Sequence, residues 1–275
     1  MFPLNVVTTK SVVSFNIRSK GMRKKTFVFL PLLLILMAWN LSYADHPLIT
    51  DDAETQGKGK FQLELNSEYG HEKENGTKED HIKTTAILTY GLLDDIELAF
   101  TVPHQFIKIR ESGEKYRDQG ISDAAFEVKW RFYEKDGLGI AIKPGITLPT
   151  GNEKKGLGTG KVTYSLHFIA TKEFHPLEFH VNLGYIRNEN KIDERKDIWH
   201  ASLAMEVEVI KNLEIVGNIG VERNRDKTSK TPPAFLIGGV VYTLHKNLDL
   251  DFGVKTGLNK PETDITFLAG LTFKF

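Results

Sequence analysis

Leu177-Glu178-Phe179-His180-Val181-Asn182-Leu183-Gly184-Tyr185 decides the fold, because apolar and polar residues alternate along nearly its whole length. A strand turns successive side chains to opposite faces, so this segment carries one apolar face and one polar, partly charged face. The pattern recurs in both directions. Upstream, Phe61, Leu63 and Leu65 alternate with Gln62, Glu64 and Asn66; Phe126, Val128, Trp130 and Phe132 alternate with Glu127, Lys129 and Arg131. Val162, Tyr164, Leu166 and Phe168 then alternate with Thr163, Ser165 and His167. Downstream, Leu203, Met205, Val207 and Val209 alternate with Ser202, Ala204, Glu206 and Glu208. Leu248, Leu250, Phe252 and Val254 alternate with Asp249, Asp251, Gly253 and Lys255. Ile265, Phe267, Ala269, Leu271, Phe273 and Phe275 end the chain. Fainter stretches at 81–91, 96–107, 138–148, 213–222 and 234–243 bring the total to twelve. Each is near the roughly 9–11 residues that a tilted strand needs to cross a bilayer. Pro144, which lacks a ladder donor, predicts a bulge within 138–148.

The connections separate a membrane barrel from a soluble one. Polar stretches at 71–80, 108–120, 149–160, 188–197, 223–233 and 259–264 take turns with tight turns at 92–95, 134–137, 172–176, 211–212 and 245–247. Short periplasmic turns and longer external loops, with an even strand count, belong to transmembrane barrels. A soluble barrel would turn its apolar face inward, and the polar face here is too charged to be packed without partners. The expected fold is therefore all-β: a transmembrane antiparallel up-and-down β-barrel of about twelve strands, spanning 59–275. Tyr69, Tyr90, Phe132, Tyr185, Trp199, Tyr242 and Phe273 sit near strand ends, where interfacial girdles place aromatic rings.

Ahead of the strands lies an export signal. Met22-Arg23-Lys24-Lys25 precedes the apolar run Phe27 to Trp39, which is too short for a spanning helix, and Ser42-Tyr43-Ala44 places small residues before a cleavage point at Asp45. The alternative is an N-terminal membrane anchor. Residues 1–44 are read as signal peptide with an upstream extension, and Met22 as the expected start of translation. The product is placed in the outer membrane of a Gram-negative bacterium. These 44 residues hold six of the 36 basic residues and no acid, which leaves 30 basic against 36 acidic residues, a net of −6. A mildly acidic body argues against a nucleic-acid partner. The absence of cysteine excludes disulfides and thiolate metal sites.

Pro47-Leu48-Ile49-Thr50-Asp51-Asp52-Ala53, running into Gly57-Lys58-Gly59-Lys60-Phe61, resembles the opening of a family of outer-membrane barrels named for the meta-pathway of phenol degradation. Gly120-Ile121-Ser122-Asp123 fits that family too, as does Leu148-Pro149-Thr150-Gly151 followed by Lys155-Gly156-Leu157-Gly158-Thr159-Gly160. The resemblance covers 47–275. Ser122 departs from it where glycine is usual, so the entry to the fourth strand is expected to differ. The resemblance implies a barrel that passes small hydrophobic or aromatic compounds, and the closing Phe275 resembles the terminal signature read by the barrel-insertion machinery. The expected partners are outer-membrane lipid, that machinery and a small-molecule solute.

Other motifs carry less. Gly156–Lys161 imitates a phosphate loop, but Lys155 stands at the first glycine and Val162 replaces the metal-binding hydroxyl. Asn75-Gly76-Thr77 is a sequon that a bacterium leaves idle. The nine histidines lack zinc spacing, and no cofactor is expected. An outer-membrane esterase would need Ser165 with His167 or Ser202 with His200, pairs that strand spacing puts roughly 7 Å apart. No catalytic residue is assigned.

Turning alternate residues inward puts Lys129, Arg131, Lys143 and Lys161 on one lumen wall. Glu178, Glu206, Glu208, Glu214, Glu222, Asp249 and Asp251 fall on the opposite wall, with Lys255 an exception. Residues 45–58 form a segment that is either a periplasmic tail or a plug in the lumen. As a plug it would rest Asp51, Asp52 and Glu54 against Lys129, Arg131 or Lys143. Two functions remain open: a channel, and a plugged barrel serving structure or surface interaction.

Overall fold

The computed structural model describes residues 46–74, 77–111 and 114–275; the export signal, Met22 and the start of the sequon at Asn75-Gly76 lie outside them. The strands are β1 (Phe61–Glu74), β2 (Thr77–Gly91), β3 (Ile96–Glu111), β4 (Glu114–Ile121), β5 (Ala124–Lys135), β6 (Leu138–Leu148) and β7 (Thr163–Phe174). There follow β8 (Leu177–Arg187), β9 (Asp197–Ile210), β10 (Leu213–Glu222), β11 (Ala234–His245), β12 (Leu248–Gly257) and β13 (Ile265–Lys274). All pair antiparallel with their neighbours, and β1 pairs with β13 over Gln62–His71, which closes the sheet. Twelve strands make the ring. The remaining one, β4, pairs only with the outer half of β3, while β5 takes the inner half.

Outside, the expected apolar face meets the surroundings: Leu65, Leu88, Phe100, Leu183, Leu203, Ile219 and Leu236 are all exposed. Rings mark both edges of this belt. Phe61, Phe132, Phe174, Tyr242 and Phe273 lie toward the short turns, and Tyr69, Tyr164, Tyr185 and Trp199 toward the long connections, all exposed. Such a belt is stable only against lipid.

The structure corrects three expectations. Stretches 71–80 and 108–120 are largely strand, because β1 to β4 run on past the apolar belt. There Asp80 gathers Tyr69, His71 and Arg110 as hydrogen-bond donors across three strands, which holds the polar extension together. Pro144 faces outward without shifting register; pairing with β5 is interrupted at Val128-Lys129, and the bulge falls instead between Arg131 and Tyr133. Lys161 is no wall residue: it is exposed in the loop before β7.

The chain breaks between β4 and β5 at Ser122-Asp123. Asp123 accepts hydrogen bonds from the backbone N–H of Gly151 (2.9 Å) and of Thr159 (2.7 Å), and from the Thr159 hydroxyl (2.9 Å). Thr150 donates to the Ser122 carbonyl and accepts from the Ala124 N–H, both at 2.8 Å. A Cβ on Gly158 would lie 2.3 Å from the Asp123 carboxylate, so glycine lets the loop close on it. Ser122 itself accepts from the Gln105 amide at 2.9 Å. Farther round, Arg195 donates to the carbonyls of Asn224, Asp226, Lys227 and Ser229, tying two long loops together.

Two outcomes are expected. Unboiled protein in detergent should migrate differently from boiled protein on denaturing gels, because the closed ladder resists unfolding; identical migration with helical circular dichroism would overturn the barrel. Asp123→Ala should leave that shift intact yet speed tryptic cleavage at the exposed Lys154 and Lys155, since hydrogen bonds to a charged group contribute about 1.5–3 kcal/mol each.

Candidate functional site in the barrel lumen

The lumen is not empty. His46 to Lys58 runs round its inner wall before entering β1, touching strands from β12 to β2 in turn. A segment without regular structure must still satisfy its backbone when buried, and side chains of the wall do so. Asn218 on β10 accepts from the N–H of Ile49 (2.8 Å) and Thr50 (3.2 Å). Asn182 on β8, oriented to meet both groups, accepts from the Asp51 N–H (2.7 Å) and donates to its carbonyl (2.8 Å). Thr171 on β7 accepts from Ala53 (2.9 Å), and Glu97 on β3 from Gln56 (2.9 Å). Farther back, His46 Nδ1 lies 2.5 Å from Asp251 on β12.

Apolar contacts add to this. Leu48 packs with Ala204, Val216 and Val241, and Ala53 with Ala141 and Ile169. Burying a leucine contributes about 1.5–3 kcal/mol. Pro47 rests on Gly239 and Gly253, which face each other across β11 and β12; a Cβ on either would come within 2.8 Å of the ring.

The expected charged residues divide. Asp51 pairs with Lys143 on β6 and, at 2.8 Å, with Lys129 on β5, while Asp52 lies 3.6 Å from Lys129. Arg131 does not join them; it pairs with Glu134 and reaches the Asp94 carbonyl. Nor does the Glu54 carboxylate, although the Glu54 carbonyl accepts from Lys129 at 3.1 Å. Instead it stands beside Glu173 and Glu178. Burial, together with repulsion from Asp52, Glu178 and Glu173, pushes the Glu54 carboxyl up to about 8 against the opposing pull of Arg131.

On the acidic wall, Glu178, Glu206, Glu214, Asp249 and Asp251 are buried, and Glu208 and Glu222 less so. The wall facing it is mixed rather than basic, because Glu97 lies 3.3 Å from Lys129 and Glu127 lies 3.8 Å from Lys143. Sequence reasoning assigned these two acids no role, although the same inward alternation exposes them. It also passed over Asn182, Asn218 and Thr171, whose signal was a polar residue in mid-strand on the lumen face.

Ser202 and His200, expected roughly 7 Å apart from strand spacing, instead lean together at 3.0 Å. Ser202 meanwhile accepts from the Thr50 hydroxyl at 2.7 Å and is buried beneath the segment, so this serine takes part in docking.

Closed ladder, apolar belt and polar lumen define a β-barrel of the outer-membrane type. The chain belongs to the family described as "Putative MetA-pathway of phenol degradation", which matches residues 44–275. No curated protein matches it. Among solved structures it is similar to the COG4313 outer membrane channel from Pseudomonas putida F1, at 14% identity and TM-score 0.67, covering 82% of this chain and 98% of that one. The NanC porin follows at 8% identity and TM-score 0.53, covering 78% and 100%. The β domain of the Bordetella autotransporter BrkA is equally near in fold, at 11% identity and TM-score 0.53, covering 79% and 100%.

Asp51→Asn should weaken docking by about 2 kcal/mol, less than the 3–5 kcal/mol of a fully orphaned buried charge, because Glu97 and Glu127 remain beside the lysines. Hydrogen exchange at the Ile49, Thr50 and Ala53 amides should then quicken about thirtyfold. Unchanged exchange would mean that the ion pairs contribute nothing to docking.

Proposed function

We propose that this protein is a channel of the Gram-negative outer membrane that passes small solutes, with residues 46–58 as its gate. The observation that carries this reading is that the lumen keeps open space although the segment is docked in it. A cavity of about 350 Å³ opens among Glu68, His81, Lys83, Gln105, Lys255 and Thr266, on the side of the long connections. A second, of about 140 Å³, lies deeper against the segment, between Asp51, Lys129, Lys143 and Glu64. The first is at the small end of the range for small-molecule sites.

The family's link to phenol degradation supports small hydrophobic or aromatic solutes. The hydrogen-bonding linings favour those that also carry a hydroxyl or carboxylate. Phe275, exposed at the β1–β13 seam, is the proposed contact for the insertion machinery. The density of contacts on the segment favours the second reading, a permanently plugged barrel with a structural or surface role.

Planar-bilayer recording on the mature chain and on a variant lacking residues 46–56 tests the gate. The deletion should raise conductance several-fold, and liposome uptake of phenol or benzoate should rise with it, ahead of sugars. Lys143→Glu, which sets a carboxylate against Asp51, should move conductance the same way. Silence in all variants, with the gel shift of an intact barrel, would overturn the channel and leave the plugged reading.

A further inference from the structure

Glu54, Glu173 and Glu178 come from three places: the docked segment, the end of β7 and the start of β8. Glu173 and Glu178 are cross-strand partners beside the short turn between those strands, and Glu54 is brought to them by docking. One oxygen from each lies within 4.8 Å of the others. Oxygen ligands of a calcium-sized ion stand about 2.3–2.6 Å from it, so two of them can be at most about 5 Å apart. The three carboxylates thus fit one coordination sphere.

A second observation points the same way. Glu178 is only 7% exposed, and its Oε1 is buried without a hydrogen-bond partner. Glu214 shares this condition, and Glu206 Oε2 and Asp251 Oδ2 are also buried without a hydrogen bond. None of these stands in such a cluster of three carboxylates among the described residues, and most acids of the wall have a partner for one oxygen. Asp251 meets His46, Asp249 meets Lys274 and Thr243, Glu206 meets His180, and Glu97 meets Lys129. Among the described residues, no Lys, Arg or His nitrogen pairs with Glu54, Glu173 or Glu178. A desolvated, unpaired carboxylate is strongly unfavourable, and three together are worse.

We propose that Glu54, Glu173 and Glu178 bind one hard divalent cation of the calcium type, which latches the N-terminal segment to the β7–β8 hairpin. An all-carboxylate donor set selects hard ions over zinc or copper, and calcium tolerates its irregular geometry better than magnesium does. Glu173 is exposed and gives the ion an approach from the mouth of the barrel, where water completes the sphere. The site rests on the docked segment and not on transport.

Calorimetry of the full mature chain in detergent, titrated with calcium chloride and separately with magnesium chloride at matched ionic strength, provides the test. One calcium per chain should bind, more tightly than magnesium. Glu54→Gln and Glu178→Gln should each weaken it by about tenfold or more, whereas Glu208→Gln, elsewhere on the acidic wall, should not. Calcium should also slow exchange at the Ala53 amide in the unaltered protein but not in Glu178→Gln. Glu54 lies outside the strands, so its variant decides the matter if Glu178→Gln fails to fold. The absence of saturable calcium binding, or equal affinity in the Glu54 variant, would overturn the site. Since the measurement involves no conductance, either result leaves the channel reading to its own test.

Discussion

A backbone N–H or C=O that faces hydrocarbon must be paired within the protein, and every other feature of this chain follows from that constraint. A sheet meets it only by closing. Here closure is sealed at the chain's last residue: Phe61 and Phe275 exchange backbone hydrogen bonds of 2.7 and 2.9 Å, and their rings stack at 5.7 Å. Once closed, each strand has one face to lipid and one to the lumen, so period-two alternation becomes obligatory. Twelve strands also enclose more space than their inward side chains fill, since eight make an interior that side chains alone can occupy. Something else has to stand in that space, whether water, solute or chain.

The chain that stands there is held by several unlike forces. Asn182, Asn218, Thr171 and Glu97 take the place of a neighbouring strand, receiving the N–H groups that an irregular segment leaves over. Leu48 and Ala53 bury themselves on small apolar patches of an otherwise polar wall. Asp51 answers two lysines. Against these stands Glu54, carried by the same segment to the acidic side of the mouth. Attachment is therefore tight around Thr50 to Ala53 and electrostatically opposed at the next residue, Glu54.

Much of this is legible in the residues. Alternation exposes twelve strands, and the inward set from Glu178 to Asp251 follows from strand parity alone. What the pattern hides has physical causes. Beyond the lipid a strand needs no apolar face, so the polar ends of β1 and β2 and all of β4 look like loops. Lys161 satisfies the parity rule but belongs to chain that has left the sheet. His200 and Ser202 meet because side chains lean along a strand, which a fixed spacing between Cβ atoms ignores. The docking patches were visible in principle. Ala141, Ile169, Val216 and Val241 are apolar residues on the lumen face, breaches of the very pattern that identifies the barrel.

The ring itself says little about function, because a porin and an autotransporter domain resemble it equally well. Beyond the ring, irregular chain is fastened to its wall. Pro47 to Ala53, the stretch that opens the family resemblance, is the part that docks in the lumen. The other two family-like stretches meet each other at Asp123, which pins the loop after β6 across the break between β4 and β5. All three motifs thus attach non-strand chain to the wall, one inside the lumen and two at the mouth with the long connections. A strand can exchange one lipid-facing aliphatic residue for another with little effect, whereas an aspartate that accepts three hydrogen bonds, or a glycine that admits a proline ring, cannot be exchanged. The specific sequence lies where irregular chain is fastened to the barrel, and alternation alone suffices for the rest.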